Sequence, residues 1–126
     1  MWRLVLALGA CGPIPVWKNS DDSAPADDSQ PPDPSECKGL TWNGVGYPFV
    51  QTWCIECHSV AVEGDDRHNA PVSVNFDTHD LVAAQAEIID LVLDRDTPIM
   101  PPYGQPSPSA KEIETFLLWL DCGAPE

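Results

Sequence analysis

Basic residues are scarce in this chain. Six Lys and Arg stand against 20 Asp and Glu in 126 residues, a formal net charge of -14. Nucleic-acid binding needs cations to neutralise phosphates, so that class is excluded. The acidity fits a self-repelling surface that steers toward basic partners. Long apolar runs are missing too: the stretch from Leu4 to Ala10 falls far short of the ~20 residues of a spanning helix. No segment shows the period-two alternation of a half-buried strand. From Asn19 to Glu36 there is no aliphatic residue larger than Ala, and Met1 and Met100 are the only methionines.

The N-terminal residues read as an export signal covering 1–10. Met1-Trp2-Arg3 supplies one positive charge, and Leu4 to Ala10 form an apolar region at the short end for a signal peptide. Leu8-Gly9-Ala10-Cys11 follows and resembles the lipobox of bacterial lipoproteins. The resemblance implies diacylglycerol on Cys11 and a lipid anchor facing the periplasm, with Gly12 favouring the outer membrane. Residues 11–36 read as the lipidated Cys and a disordered tether. Asp21, Asp22, Asp27, Asp28, Asp33 and Glu36 alternate with Pro25, Pro31, Pro32 and Pro34, so little surface can be buried to offset ordering entropy. Charge and proline keep such a segment extended.

The folded region is expected over 37–126, and its most specific feature is Cys54-Ile55-Glu56-Cys57-His58. C-x-x-C-H is the attachment signature of haem c. Two thiols three positions apart in a helical turn can each add to one vinyl group of the macrocycle. His58 is then held under the iron as a nitrogen ligand. The other cysteines fall into place around this assignment. Cys11 takes lipid, which leaves Cys37 and Cys122, and in an oxidising compartment two remaining cysteines suggest a disulfide. A loop of about 85 residues closed in this way stabilises by up to ~4.5 kcal/mol in the chain-entropy model.

Three helices are expected, giving an all-α fold. The first starts at Pro48, which suits the first helical position, and runs through Phe49, Val50 and Trp53 into the haem motif. Phe49, Trp53 and Cys57 share a face. The second spans about Asp80 to Arg95, capped by Asp77 or Thr78. Its apolar stripe is Leu81, Ile88 and Val92, supported by Ala84 and Ile89. In the third, Ser109-x-x-Glu112 is a capping box. Ile113, Phe116, Leu117 and Leu120 follow at helical spacing, and Gly123 closes the helix.

Met100 lies between the second and third helices, in Pro98-Ile99-Met100-Pro101-Pro102-Tyr103-Gly104. A thioether is a soft axial ligand suited to an electron-transfer haem. The flanking prolines stiffen the loop and lower the cost of presenting the sulfur. A lone loop Met is also common packing filler.

Residues 37–126 resemble a small bacterial single-haem cytochrome c domain. The matching order is an aromatic helix entering C-x-x-C-H, a loop, a helix, a Met-Pro-Pro loop and a C-terminal amphipathic helix. With about three main helices around one covalent haem, the resemblance implies that the first and last helices pack together and that one haem edge is exposed. Ligation by both His58 and Met100 leaves no open site, which argues against substrate turnover. The resemblance also implies a proline carbonyl that accepts from the proximal His. Pro71 stands at a suitable distance, after Ala70 rather than the usual glycine, and such a bond orients the ring. The stretch from His58 to Met100 is short for the family.

Electron transfer to a partner protein with a basic docking surface is therefore the expected function. One alternative is a haem-based sensor or small-ligand binder, should Met100 not ligate iron. Another is a zinc or thiol-redox domain using Cys54 and Cys57, although further zinc-ligand cysteines and a thioredoxin-like βαβ pattern are missing. His68 is a minor candidate for sixth iron ligand or for a zinc site with Cys54, Cys57 and His58. His79, near a helix start, is expected to be solvated. Trp42, Trp53, Trp119 and Tyr103 are candidates to line the haem pocket or to fill core.

Overall fold

The structure, a computed structural model, describes residues 30–94 and 96–126. The expected signal segment, Cys11 and most of the tether lie outside these residues. Every regular element among the described residues is helical, so the all-α expectation holds. The helices are α1 (Tyr47–Trp53), α2 (His79–Ala83), α3 (Ala86–Val92) and α4 (Ala110–Asp121). A π-helical turn, Trp42–Gly46, leads directly into α1, and a 3-10 turn, Gly64–Arg67, lies in the loop after the Cys54–His58 motif.

Helix α4 forms as its sequence dictates. Ser109 Oγ accepts from Glu112 N at 3.3 Å, and Glu112 Oε2 accepts from Ser109 N at 2.8 Å, completing the capping box. Ile113, Phe116, Leu117 and Leu120 are all buried, and Trp119 joins them with no exposed surface. At the other end Gly123 adopts φ +84. Gly123 N donates to Leu120 O and Ala124 N to Trp119 O, the paired bonds of a Schellman motif.

The expected second helix is two helices. Gln85, at φ -114 and ψ 15, interrupts it. Its backbone N–H bonds Val82 O, three residues back. Its side-chain Nε2 donates to Leu81 O at 2.9 Å and to Asn75 O at 3.1 Å. The carbonyl that a continuous helix would offer to Gln85 N is thus satisfied by the Gln85 side chain instead. Thr78 is the cap, accepting from Leu81 N at 3.4 Å. The apolar stripe also differs from expectation. Leu81 and Ile88 are 37% and 58% exposed, while Val82, Ile89 and Leu93 are buried. Each position is an apolar doublet (Leu81-Val82, Ile88-Ile89, Val92-Leu93), so the correct spacing is compatible with two phases one residue apart.

The ends of the folded region are fastened to each other. Cys37 and Cys122 form a disulfide across a sequence separation of 85, with Cα atoms 5.6 Å apart. Pro125 O accepts from both Trp42 N (2.8 Å) and Trp119 Nε1 (3.0 Å). Gly46 is required where the π-helical turn crosses α4. A Cβ there would collide with the Trp42 ring and lie 2.9 Å from Trp119. The end of the expected disordered tether is locally ordered: Asp33 Oδ1 accepts from Ser35 N at 2.8 Å and from Ser35 Oγ at 2.6 Å. Such an Asx turn needs no apolar burial.

Candidate functional site

Helix α1 stops at Trp53, but the motif continues to wind. Cys54 N and Ile55 N both bond Val50 O, and Cys57 N and His58 N both bond Cys54 O, at 2.9–3.2 Å. This winding places Cys54, Cys57 and His58 along one side of a cleft of about 450 Å³. That volume lies within the ~300–1,000 Å³ common to small-molecule and cofactor sites.

The cleft walls come from α1, α3 and α4 and from the loops before α2 and after α3. Phe49 and Val50 of α1, Ile88, Ile89 and Val92 of α3, Leu93 beyond it, and Phe116 of α4 supply apolar surface. Ile88 and Val92, two of the three residues of the expected stripe, face this space. Met100 lines the same cleft, with Pro101 and Pro102 beside it. Val92 O accepts from both Ile99 N (2.9 Å) and Met100 N (3.1 Å), which ties the Met100 backbone to the end of α3. Two thiols, an imidazole and a thioether thus line one largely apolar space, although Met100 is 42 positions beyond His58.

His58 is held by the loop that follows it. Its Nδ1 lies 3.1 Å from Val74 O. A carbonyl only accepts, so this contact puts the proton on Nδ1 and leaves the Nε2 lone pair free for a ligand role. The implied partner, the Pro71 carbonyl, is engaged elsewhere: it accepts from Arg67 Nη2 at 2.8 Å. The acceptor for His58 is three residues further on than expected because Arg67 folds the loop around itself. His58 O accepts from Phe76 N at 2.8 Å, and the His58 and Phe76 rings lie 5.0 Å apart. Ser59 Oγ and Val60 N donate to the two Asp77 carboxylate oxygens at 2.6 and 3.0 Å. Burial pushes the Asp77 carboxyl up, but these bonds and the nearby Arg67 charge outweigh it and hold the value below the ordinary one.

Neither cleft thiol is activated. Burial pushes the Cys54 thiol up to about 12. Cys57 is raised by burial and then by the Glu56 charge, with Arg67 opposing. Redox-active cysteines show the reverse, a depressed value in an electropositive setting. Among the described residues, the group of three His, Cys, Asp or Glu side chains whose donor atoms converge is His79, Asp80 and Glu126. Cys54, Cys57, His58 and His68 do not assemble in that manner. His68 is exposed, at φ +50, on the rim of the cleft.

Of the four aromatic candidates, Trp53 alone lines the cleft. Trp119 is core, Trp42 packs against it with centroids 5.8 Å apart, and Tyr103 is fully exposed. Phe49, Phe76 and Phe116 form the aromatic lining instead. His79, expected to be solvated, is partly buried between Trp42 and Trp119 and contacts Ala124 O through Nε2 at 2.7 Å. Arg67 and Val74 carried no signal in the sequence: one arginine in a polar loop and one backbone carbonyl look like any others.

A second cavity, of about 360 Å³, lies beside the first turn of α4, lined by Pro48, Trp53, Ser109 and Lys111 among others, and it holds no thiol, thioether or imidazole. Comparison of the chain with protein-family models, with curated proteins and with solved structures returns no match.

Proposed function

We propose that residues 37–126 form a single-haem c-type cytochrome domain that transfers electrons, with Cys54 and Cys57 as thioether attachment points and His58 and Met100 as axial ligands. The observation that carries this reading is that these four side chains share one apolar cleft of cofactor size. Cys54 and Cys57 would hold the group through thioethers, each S–H adding across a vinyl C=C with no leaving group. When bound, haem supplies one-electron redox chemistry.

The protein residues have separate tasks. Cys54 and Cys57 fix the macrocycle to the end of α1. His58, oriented through Nδ1, offers Nε2, and Met100 offers sulfur from the stiff Pro-flanked loop. Phe49, Val50, Ile89 and Phe116 exclude water. A haem held by both His58 and Met100 would offer no open site, which favours a carrier over an enzyme or a ligand sensor. The unactivated thiols weigh against a thiol-redox role, and the lack of convergence among Cys54, Cys57, His58 and His68 weighs against zinc. On the same reading, lipid on Cys11 anchors the domain to a bacterial membrane facing the periplasm, the outer membrane being favoured. The acidic chain meets a redox partner with a basic docking surface.

The test is the absorption spectrum of protein exported from cells competent in haem c maturation, recorded oxidised, reduced, and reduced under carbon monoxide. A low-spin six-coordinate haem that is indifferent to carbon monoxide is expected. Immediate carbon monoxide binding would shift the reading to a ligand sensor, and a colourless protein would refute it.

A further inference from the structure

Arg67 is 4% exposed, an unusual place for a guanidinium. It lies at the end of the 3-10 turn, and its donors are spent on six oxygens. Nη1 bonds Ser59 O (2.6 Å) and Val62 O (3.1 Å), and Nε bonds Ala70 O (3.2 Å). Nη2 bonds Pro71 O (2.8 Å), Val74 O (3.1 Å) and Asn75 Oδ1 (3.0 Å). All six are neutral oxygens; the Asp77 carboxylate feels the Arg67 charge only through space and spends its own oxygens on Ser59 Oγ and Val60 N. One of them, Val74 O, is also the oxygen that faces His58 Nδ1.

We propose that Arg67 is a positioning residue for His58: its guanidinium holds the Val74 carbonyl against His58 Nδ1 and, through that shared oxygen, tunes the donor strength of the imidazole. The inference rests on the haem reading above. The physical argument has two parts, both of the same sign. A carbonyl oxygen already bonded to a cation is a weaker acceptor for a second N–H, so less negative charge is pushed onto the His58 ring. A buried cation close to the ring also favours the less positive state of a bound iron, because interior charges are poorly screened. Each effect raises the reduction potential. A clasp that only held the loop would need the donors of Arg67 but would be indifferent to its charge.

Three variants separate charge from clasp. Asn75→Asp retains an oxygen acceptor for Nη2 while placing a negative charge against Arg67, and it gives up only the exposed bond from Asn75 Nδ2 to Val72 O. Arg67→Gln removes the charge, and Arg67→Lys keeps the charge but loses the fork. In the haem-loaded full chain, Asn75→Asp and Arg67→Gln should both lower the potential in equilibrium titration, and Arg67→Lys should stay nearer to wild type. Should Arg67→Gln not fold, Asn75→Asp decides alone. Unchanged potential in a folded, loaded Asn75→Asp would overturn the charge argument. If the chain carries no haem, the functional reading has failed and the positioning role is read separately, from the His58 ring nitrogens by 15N NMR. Nδ1–H should dominate in wild type, and its resonance should move downfield in Asn75→Asp as the Val74 carbonyl regains acceptor strength. An unshifted resonance in the folded variant would overturn the role.

Discussion

The Phe49 ring lies flat on the Phe116 ring, with centroids 4.1 Å apart and planes 9° from parallel. This stack joins α1, which delivers Cys54 and Cys57, to α4, the longest helix among the described residues, and both rings form part of the cleft wall. It is the contact through which the most securely capped element supports the motif. Phe116→Ala should cost about 3–5 kcal/mol, as large-to-small core substitutions of Phe do. Urea denaturation checks this. A loss below ~1 kcal/mol would mean that α1 is held chiefly by the π-helical turn and the disulfide.

The Cys37–Cys122 bridge fastens the two ends of the folded region, and neither cysteine lines the cleft. Removing it with Cys37→Ser/Cys122→Ser should lower stability by roughly 2–4 kcal/mol through the greater freedom of the unfolded chain. The visible spectrum of the loaded protein should be unchanged. Thiol titration of unfolded, unreduced wild type should count neither cysteine as free.

His79 makes stability depend on pH. Its pKa is raised, first by the hydrogen bond to Ala124 O, with burial opposing and Asp80 and Glu126 adding to the rise. A raised folded value means a contribution that is complete below the unfolded value, about 6.5, and lost as pH rises through the folded value. Denaturation midpoints of wild type should therefore fall as pH climbs just above that value. His79→Gln should flatten this step, and a step that persists in the variant would assign it to another group.

Met100→Ala should leave the motif and its attachment intact while removing the thioether. If Met100 ligates haem as proposed, the potential should drop and the reduced form should bind carbon monoxide, because a soft thioether ligand would be lost. A variant with the spectrum and potential of wild type would transfer the role to another residue, with His68 on the cleft rim the first to test by His68→Ala.

How legible these features were depends on whether their determinants are local in the chain. Helix α4 was readable because Ser109, Glu112 and Gly123 act on their own neighbours. The phase of α2 and α3 was not, since Leu81-Val82, Ile88-Ile89 and Val92-Leu93 offer two apolar faces and only the tertiary core chooses. The break at Gln85 depends on a side chain reaching Leu81 O and Asn75 O, the second of which belongs to a different segment. Cys54, Cys57 and His58 were marked by their spacing. Met100 stood out because methionine is rare here and its prolines are conspicuous. The carbonyl that faces His58 is Val74's rather than Pro71's because Arg67 gathers five backbone oxygens of the intervening loop, a three-dimensional effect with no pattern in the sequence.

The proposed attachment of haem at Cys54 and Cys57 is tested most directly by the intact mass of the denatured protein. The exported chain, taken from cells competent in haem c maturation, is extracted with acidified acetone, and its mass is measured alongside that of Cys54→Ser/Cys57→Ser. The account predicts a mass increase of one haem that survives extraction in wild type and is absent from the double variant. An unmodified wild-type polypeptide would contradict it.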